Sequence, residues 1–235
     1  MSNTQDNEGR IKVGISTGDI NGIGIEVIMK ALSDSRMMQS CTPVIYGSAK
    51  TISYHRKTLN IPDFNYTSVR SANDIILRKV NLINCWDEEV KIELGVMNAI
   101  GARYALKSLS AATKDLIDKK IDVLVTAPIN KHNMQQEGFN FPGHTEYLAT
   151  QANTTNYLMM MVSDNLRVAV VTGHVPLRNV AQQITRETIL AKLKLMSDSL
   201  KMDFGIRKPK IAVMGLNPHS GDNGLIGKEE LEIIT

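Results

Sequence analysis

Short apolar runs alternate with amphipathic stretches along this chain, and that alternation decides what it can fold into. The runs Ile11–Ser16, Pro43–Tyr46, Asn81–Cys85, Ile121–Thr126, Leu158–Val162, Leu166–Thr172 and Lys210–Leu216 are short, several of them rich in Val, Ile and Leu. Continuous apolar runs of this kind belong to strands covered on both faces, the habit of parallel sheets. Between them lie helical patterns over Ile25–Leu32, Met97–Lys119 and Arg186–Met202. Ala105, Leu109, Ala112 and Leu116 share one face of the second. Ile189, Leu193, Met196 and Leu200 form a stripe on the third, with Thr185 placed to cap it. The pattern predicts an α/β fold with a largely parallel sheet. Residues 1–10 read as a mobile tail, and Gly227–Thr235 as the start of a further helix.

Charge and cysteine usage narrow the function classes. Formal net charge is +3 over 235 residues. That balance is too slight to argue for nucleic acid or an anionic membrane, and it leaves a small anionic substrate open. Asp118, Lys119 and Lys120 mix signs and read as a solvated helix end. Cys41 and Cys85 form no CxxC pair and no disulfide framework. The N-terminus lacks an apolar core of the signal-peptide kind, and no run approaches the roughly 20 apolar residues of a membrane span. A cytoplasmic protein is the expectation.

Five segments could carry chemistry. Thr17–Glu26 (TGDINGIGIE) follows a strand and opens a helix. Its glycines could let backbone amides face an anion, but the spacing is neither GxGxxG nor a phosphate loop, so a tight turn is favoured. Thr126–Lys131 (TAPINK) lies where ligands gather in open α/β sheets. Lys131 there either faces an anion or is simply solvated. Phe141–Leu148 (FPGHTEYL) presents His144 and Thr145, which could hold a carboxylate or phosphate. Read alone, Thr145 as a helix N-cap beside a surface histidine is favoured. In Thr172–Arg178 (TGHVPLR) and Gly215–Gly221 (GLNPHSG), His174 and His219 each follow an apolar run. Two imidazoles placed alike can share Zn²⁺, Co²⁺ or Mn²⁺, although a complete site needs a further donor. Glu229 and Glu230 read as first-turn residues favouring a helix dipole, and His55 and His132 as surface residues.

Taken in order, TGDINGIGIE, TAPINK, FPGHTEYLA, LRVAVVTGHVPLR and GLNPHSGDNGLIGKEE resemble the 4-hydroxythreonine-4-phosphate dehydrogenase family. The resemblance runs from about Gly14 to the last residue. Ile20 and Ile25 stand where that family usually has proline, in a turn and at a helix start. The resemblance implies a two-domain α/β fold similar to isocitrate and isopropylmalate dehydrogenases, here without the family's C-terminal third. The first domain is expected over residues 1–128 and the second over 129–235, with the active site in the cleft and at a homodimer interface. It implies substrate contacts from His144 and Thr145 and metal ligation by His174 and His219, with a third histidine ligand lying in the absent part. It implies NAD (or NADP) and a divalent metal (zinc, magnesium or cobalt). The implied reaction is oxidation of 4-hydroxythreonine 4-phosphate to a β-keto acid that decarboxylates to 3-amino-2-oxopropyl phosphate, in vitamin B6 biosynthesis. No catalytic or cofactor-binding residue is assigned. The competing expectations are a relative acting on another phosphorylated hydroxy acid or a dihydrodiol, and a non-catalytic ligand-binding module. With two of three metal histidines, the 235-residue chain is expected to be catalytically incompetent and prone to aggregate.

Overall fold

The computed structural model describes residues 9–235, so most of the expected N-terminal tail lies outside the described residues. The chain divides into two compact units, Met1–His144 and Thr145–Thr235. Each is described by itself.

The first unit runs β1 (Lys12–Ser16), α1 (Gly24–Leu32), α2 (Met37–Ser40), β2 (Thr42–Gly47), α3 (Ala49–Thr58), β3 (Thr67–Val69), β4 (Asn81–Asn84), α4 (Ala99–Ile117), β5 (Val123–Thr126) and α5 (Lys131–Gln136). Its five strands form one sheet in the order β3-β4-β2-β1-β5. Every pairing is parallel; Ile45 stands opposite both Ile15 and Leu82, and Gly14 opposite Leu124. Side chains alternate between faces along a strand, and here both faces are used. Ile15, Ile45 and Leu82 pack with Ile25, Ile28 and Met29 of α1 and Ile52 of α3. Val44, Tyr46 and Ile83 pack on the other face with Ala112 of α4. Double coverage explains why β2 is buried along its whole length and why its sequence reads as an unbroken apolar run. Within α4, Ser108 accepts from the Thr17 amide and donates to the Tyr46 carbonyl, stitching the helix to the carboxyl ends of β1 and β2. The mixed-sign cluster does end α4, where Lys120 pairs with Asp115 and Asp118.

α3 was not legible as a helix. Its inward face carries Thr51, Ile52 and His55, too polar to show an apolar period. His55 is therefore a correction: only 1% exposed, it is a core residue and not a surface one. His132, in α5, is exposed as expected.

The second unit continues α6 (His144–Gln151) and adds β6 (Met160–Val162), β7 (Arg167–Ala169), α7 (Val180–Gln183) and α8 (Arg186–Met202). Short 3-10 turns occupy Leu177–Asn179 and Pro218–Gly224. α8 has the expected bounds, and Thr185 and Thr188 close a capping box at its start. Other expectations for this unit need correction. β6 and β7 pair antiparallel, Met160 opposite Ala169, and are half exposed where buried strands were expected over Leu158–Val162 and Leu166–Thr172. Lys210–Leu216 is no strand, and Met214 within it is 84% exposed. An apolar run becomes a buried strand only when neighbours pair with its N–H and C=O groups and a layer covers it. Among the described residues β6 and β7 have only each other, and Lys210–Leu216 pairs with no strand. The helix expected from Gly227 is a single π turn, Glu230–Ile234. No described helix is long and apolar enough to cross a membrane.

Candidate functional site

At the carboxyl edge of the first unit's sheet, the glycine-rich segment after β1 commits four of its amides to partners within the unit. Thr17 N–H donates to Ser108 Oγ at 2.9 Å, Asp19 N–H to the Pro128 carbonyl at 3.0 Å, Asn21 N–H to Asp19 Oδ1 at 2.9 Å, and Gly22 N–H to the Asp19 carbonyl at 3.0 Å. These bonds fold the segment into a tight turn, and the four amides they use do not face a ligand. Gly18 sits at φ +66°, where a Cβ would lie 2.3 Å from the Pro128 carbonyl oxygen. Gly24 lets α1 approach the Thr17 carbonyl, 2.5 Å from where a Cβ would stand. The carbonyl of Ile20, deeper in the turn, accepts from His55 Nε2 at 2.8 Å. A carbonyl cannot donate, so this bond requires the hydrogen on Nε2. Burial, partly offset by the Ile20 carbonyl and Glu26, holds the His55 pKa below the usual imidazole value.

Asn21 ties this turn to two other loops. Its Nδ2 donates to the Val96 carbonyl at 3.1 Å and to Asn98 Oδ1 at 3.0 Å, and its Oδ1 accepts from Glu93 N–H at 2.9 Å. Asn98 Oδ1 also accepts from Gly101 N–H, capping α4. The Asn98 carbonyl accepts from Asn133 Nδ2, and Asn133 N–H donates to Asn130 Oδ1. The loops after β1, β4 and β5 are thereby locked to one another at the sheet end where open α/β folds bind ligands. Asp19 lies among them, half-buried, and desolvation raises its carboxyl pKa against the lowering effect of the Asn21 amide.

Lys131 opens α5, is exposed, and has no side-chain partner among the described residues. His144 feels its charge: burial first, then the Lys131 ammonium, lowers the His144 pKa. His144 Nε2 is enclosed and meets no hydrogen-bond partner among the described residues. His144 is thus not the surface residue favoured from sequence. Thr145 is the second residue of α6 and not its cap.

In the second unit His174 occupies the loop after β7, and its Nδ1 lies 3.1 Å from Glu146 Oε1. Its side chain is 45% exposed. His219 is exposed, has no side-chain partner among the described residues, and opens a left-handed run with φ of 52° at His219 and at Ser220. Glu230 holds the loop preceding it. Its Oε1 accepts from Leu216 N–H at 2.7 Å and Asn217 N–H at 2.6 Å, and its Oε2 from Asn217 Nδ2 at 2.9 Å. Expected as a helix-dipole residue, Glu230 is instead a buried loop clamp, 6% exposed, and the Asn217 amide foremost holds its pKa down. A carboxylate binding amides more than ten residues earlier leaves no sequence signal. Two imidazoles, one anchored by a carboxylate on its second nitrogen, are nitrogen donors suited to a borderline divalent ion. No group of three or more His, Cys, Asp or Glu gathers as a metal site among the described residues.

These features define a class: an α/β protein that collects its polar groups on loops at the carboxyl edge of a parallel sheet and carries imidazole-bearing loops in a second unit. Comparison with known proteins makes the assignment specific. The profile of the family described as pyridoxal phosphate biosynthetic protein PdxA matches residues 39–235, and the chain belongs to that family. It is 47% identical over 228 residues to a 4-hydroxythreonine-4-phosphate dehydrogenase of Bacteroides thetaiotaomicron, covering 97% of this chain and 62% of the relative. It is 40% identical to the enzyme of that name from a Sulfurihydrogenibium species, covering 95% of this chain and 68% of that one. The crystal structure of the Klebsiella pneumoniae 4-hydroxythreonine-4-phosphate dehydrogenase superposes with a TM-score of 0.78 at 29% identity, covering 96% of this chain and 68% of that chain. The chain thus spans a little under two thirds of the length of its Bacteroides relative.

Proposed function

We propose that this chain supplies the substrate and metal residues of a dehydrogenase that oxidises 4-hydroxythreonine 4-phosphate with NAD (or NADP) and a divalent metal, in pyridoxal phosphate synthesis. The observation that carries the reading is the 47% identity, over 97% of this chain, to a protein of that name.

The residues have chemistry to match. His144, its pKa depressed by burial and by Lys131, stays neutral near pH 7 and would hold an anionic substrate by donating its one ring N–H. Thr145 adds a hydroxyl, and Lys131 a positive charge for a phosphate or carboxylate. His174 and His219 are the imidazoles that would hold the ion. The nicotinamide cofactor supplies a hydride acceptor, and a divalent metal supplies the Lewis acid that acidifies the reacting alcohol. No residue of this chain is assigned to the nicotinamide cofactor. The oxidation product is a β-keto acid, and loss of CO₂ gives 3-amino-2-oxopropyl phosphate. The family resemblance also supports a cytoplasmic homodimer with a shared active site.

The test is product formation by protein carrying the full reading frame. With 4-hydroxythreonine 4-phosphate, NAD and zinc, magnesium or cobalt, it should form NADH and CO₂ in equal amounts. Lys131→Ala should raise KM more than it lowers kcat, since it removes attraction for the substrate's anionic group. Turnover confined to a different phosphorylated hydroxy acid or a dihydrodiol would move the assignment to that substrate. A folded protein that turns over none of them would be a binding module.

A further inference from the structure

Outside the residues already assigned, one contact in the second unit has the form of a tuning device. Glu146 occupies the first turn of α6, so its carboxylate is carried on a helix and not on a loop. Its Oε1 lies 3.1 Å from Nδ1 of His174, and its side chain is 21% exposed where that of His174 is 45% exposed. We infer that Glu146 is a positioning residue for His174: it fixes the ring's orientation and tautomer so that Nε2 presents its lone pair to a divalent cation. The inference rests on the metal reading above.

The argument is one of valence. A neutral imidazole carries a single N–H, and an ionised carboxylate only accepts. A bond between Glu146 Oε1 and His174 Nδ1 therefore places the hydrogen on Nδ1 and leaves Nε2 as the donor atom. An unrestrained imidazole in water prefers the other tautomer, with the hydrogen on Nε2, in which that nitrogen cannot ligate. The carboxylate also makes the ring more basic toward a cation, as carboxylates behind metal-binding histidines do. A structural consequence follows for the motif FPGHTEYL. Thr145, proposed to touch substrate, and Glu146, proposed to set a metal ligand, are successive residues in one helical turn. Substrate contact and ligand orientation are then adjusted by the same turn of backbone.

Two readouts in wild type, Glu146→Gln and Glu146→Ala test this. The first is ¹⁵N NMR of the histidine rings in metal-free protein at a pH where His174 is neutral. Wild type should show His174 protonated on Nδ1, and Glu146→Ala should show it shifted toward Nε2. The second is zinc affinity by competition with a chromophoric chelator. Glu146→Ala should weaken binding about 10- to 100-fold, and Glu146→Gln by less, because an amide oxygen still accepts the hydrogen bond without the charge. In a His174→Ala background the Glu146 substitution should change zinc affinity no further. Glu146→Gln is close to isosteric, so it keeps the test valid if Glu146→Ala fails to fold. Variants with wild-type tautomer and wild-type zinc affinity would overturn the inference. A wild-type protein that binds no zinc would instead sink the metal reading, and the tautomer alone would then decide whether Glu146 sets the ring.

Discussion

His55 shows how much a single buried polar contact asks of its surroundings. Its Nε2–H meets the Ile20 carbonyl inside a turn whose Thr17, Asp19, Asn21 and Gly22 amides are already paired. Replacement by Ala strands that carbonyl, at a cost of about 1–3 kcal/mol before any cavity is counted; urea melts should show it. The same residue gives a pH dependence with a definite sign. Burial holds the folded pKa below the unfolded value of 6.5, so the unfolded chain takes up the proton first. The stability His55 contributes is complete above the unfolded pKa and is lost as pH falls below it toward the folded value. His144 shifts in the same direction, so the measurement must compare wild type with His55→Gln, which keeps a donor but does not titrate. Stability lost between pH values of about 7.5 and 5.5 should be smaller in the variant. Gly18 makes a second residue-level case. A side chain there meets both a left-handed backbone and the Pro128 carbonyl, and Gly18→Ala should destabilise by more than about 2 kcal/mol. The glycine was legible, because a strand-to-helix turn of this spacing asks for one. The histidine was not, because its burial depends on a partner 35 residues away.

At the level of elements, legibility followed the availability of partners. β1, β2, β4 and β5 were found near their expected bounds because each has a parallel neighbour in the same unit, and β1, β2 and β4 are packed on both faces while the edge strand β5 leaves Val123 and Val125 about half exposed. The apolar runs of the second unit have the same composition but lack those neighbours among the described residues, and they form short half-exposed strands or none. Sequence reports appetite for burial; only topology reports whether it is met. The N-terminus of α4 is a point where element and candidate site coincide. Asn98 Oδ1 accepts from both Gly101 N–H and Asn21 Nδ2. Asn98→Ala should cost about 1–2 kcal/mol through the lost cap. It should also free the loops after β1 and β4, which hydrogen exchange would register as faster exchange at Glu93 and Gly95, whose amides depend on Asn21. Equal exchange in variant and wild type would show that the loops hold without the asparagine network.

For the whole molecule, the second unit exposes large apolar side chains: Leu177 is 91% exposed, Met214 84%, Met202 82% and Leu225 80%. Surfaces of this kind associate. The 235-residue chain by itself should therefore show concentration-dependent self-association in light scattering, and a monomer of unchanged mass across the range would contradict that. Of the candidate site, the sequence showed which residue types stand in which motifs; the carboxylates behind them, Glu146 and Glu230, became visible only in the fold. The claim on which the functional account turns is that His174 and His219 hold one divalent ion. Equilibrium dialysis with zinc, on wild type, His174→Ala and His219→Ala carrying the full reading frame, tests it most directly. The account predicts one bound ion per chain in wild type, loss of at least about tenfold in affinity in each single variant, and unchanged melting of the metal-free proteins. Wild-type zinc binding in both variants would contradict it.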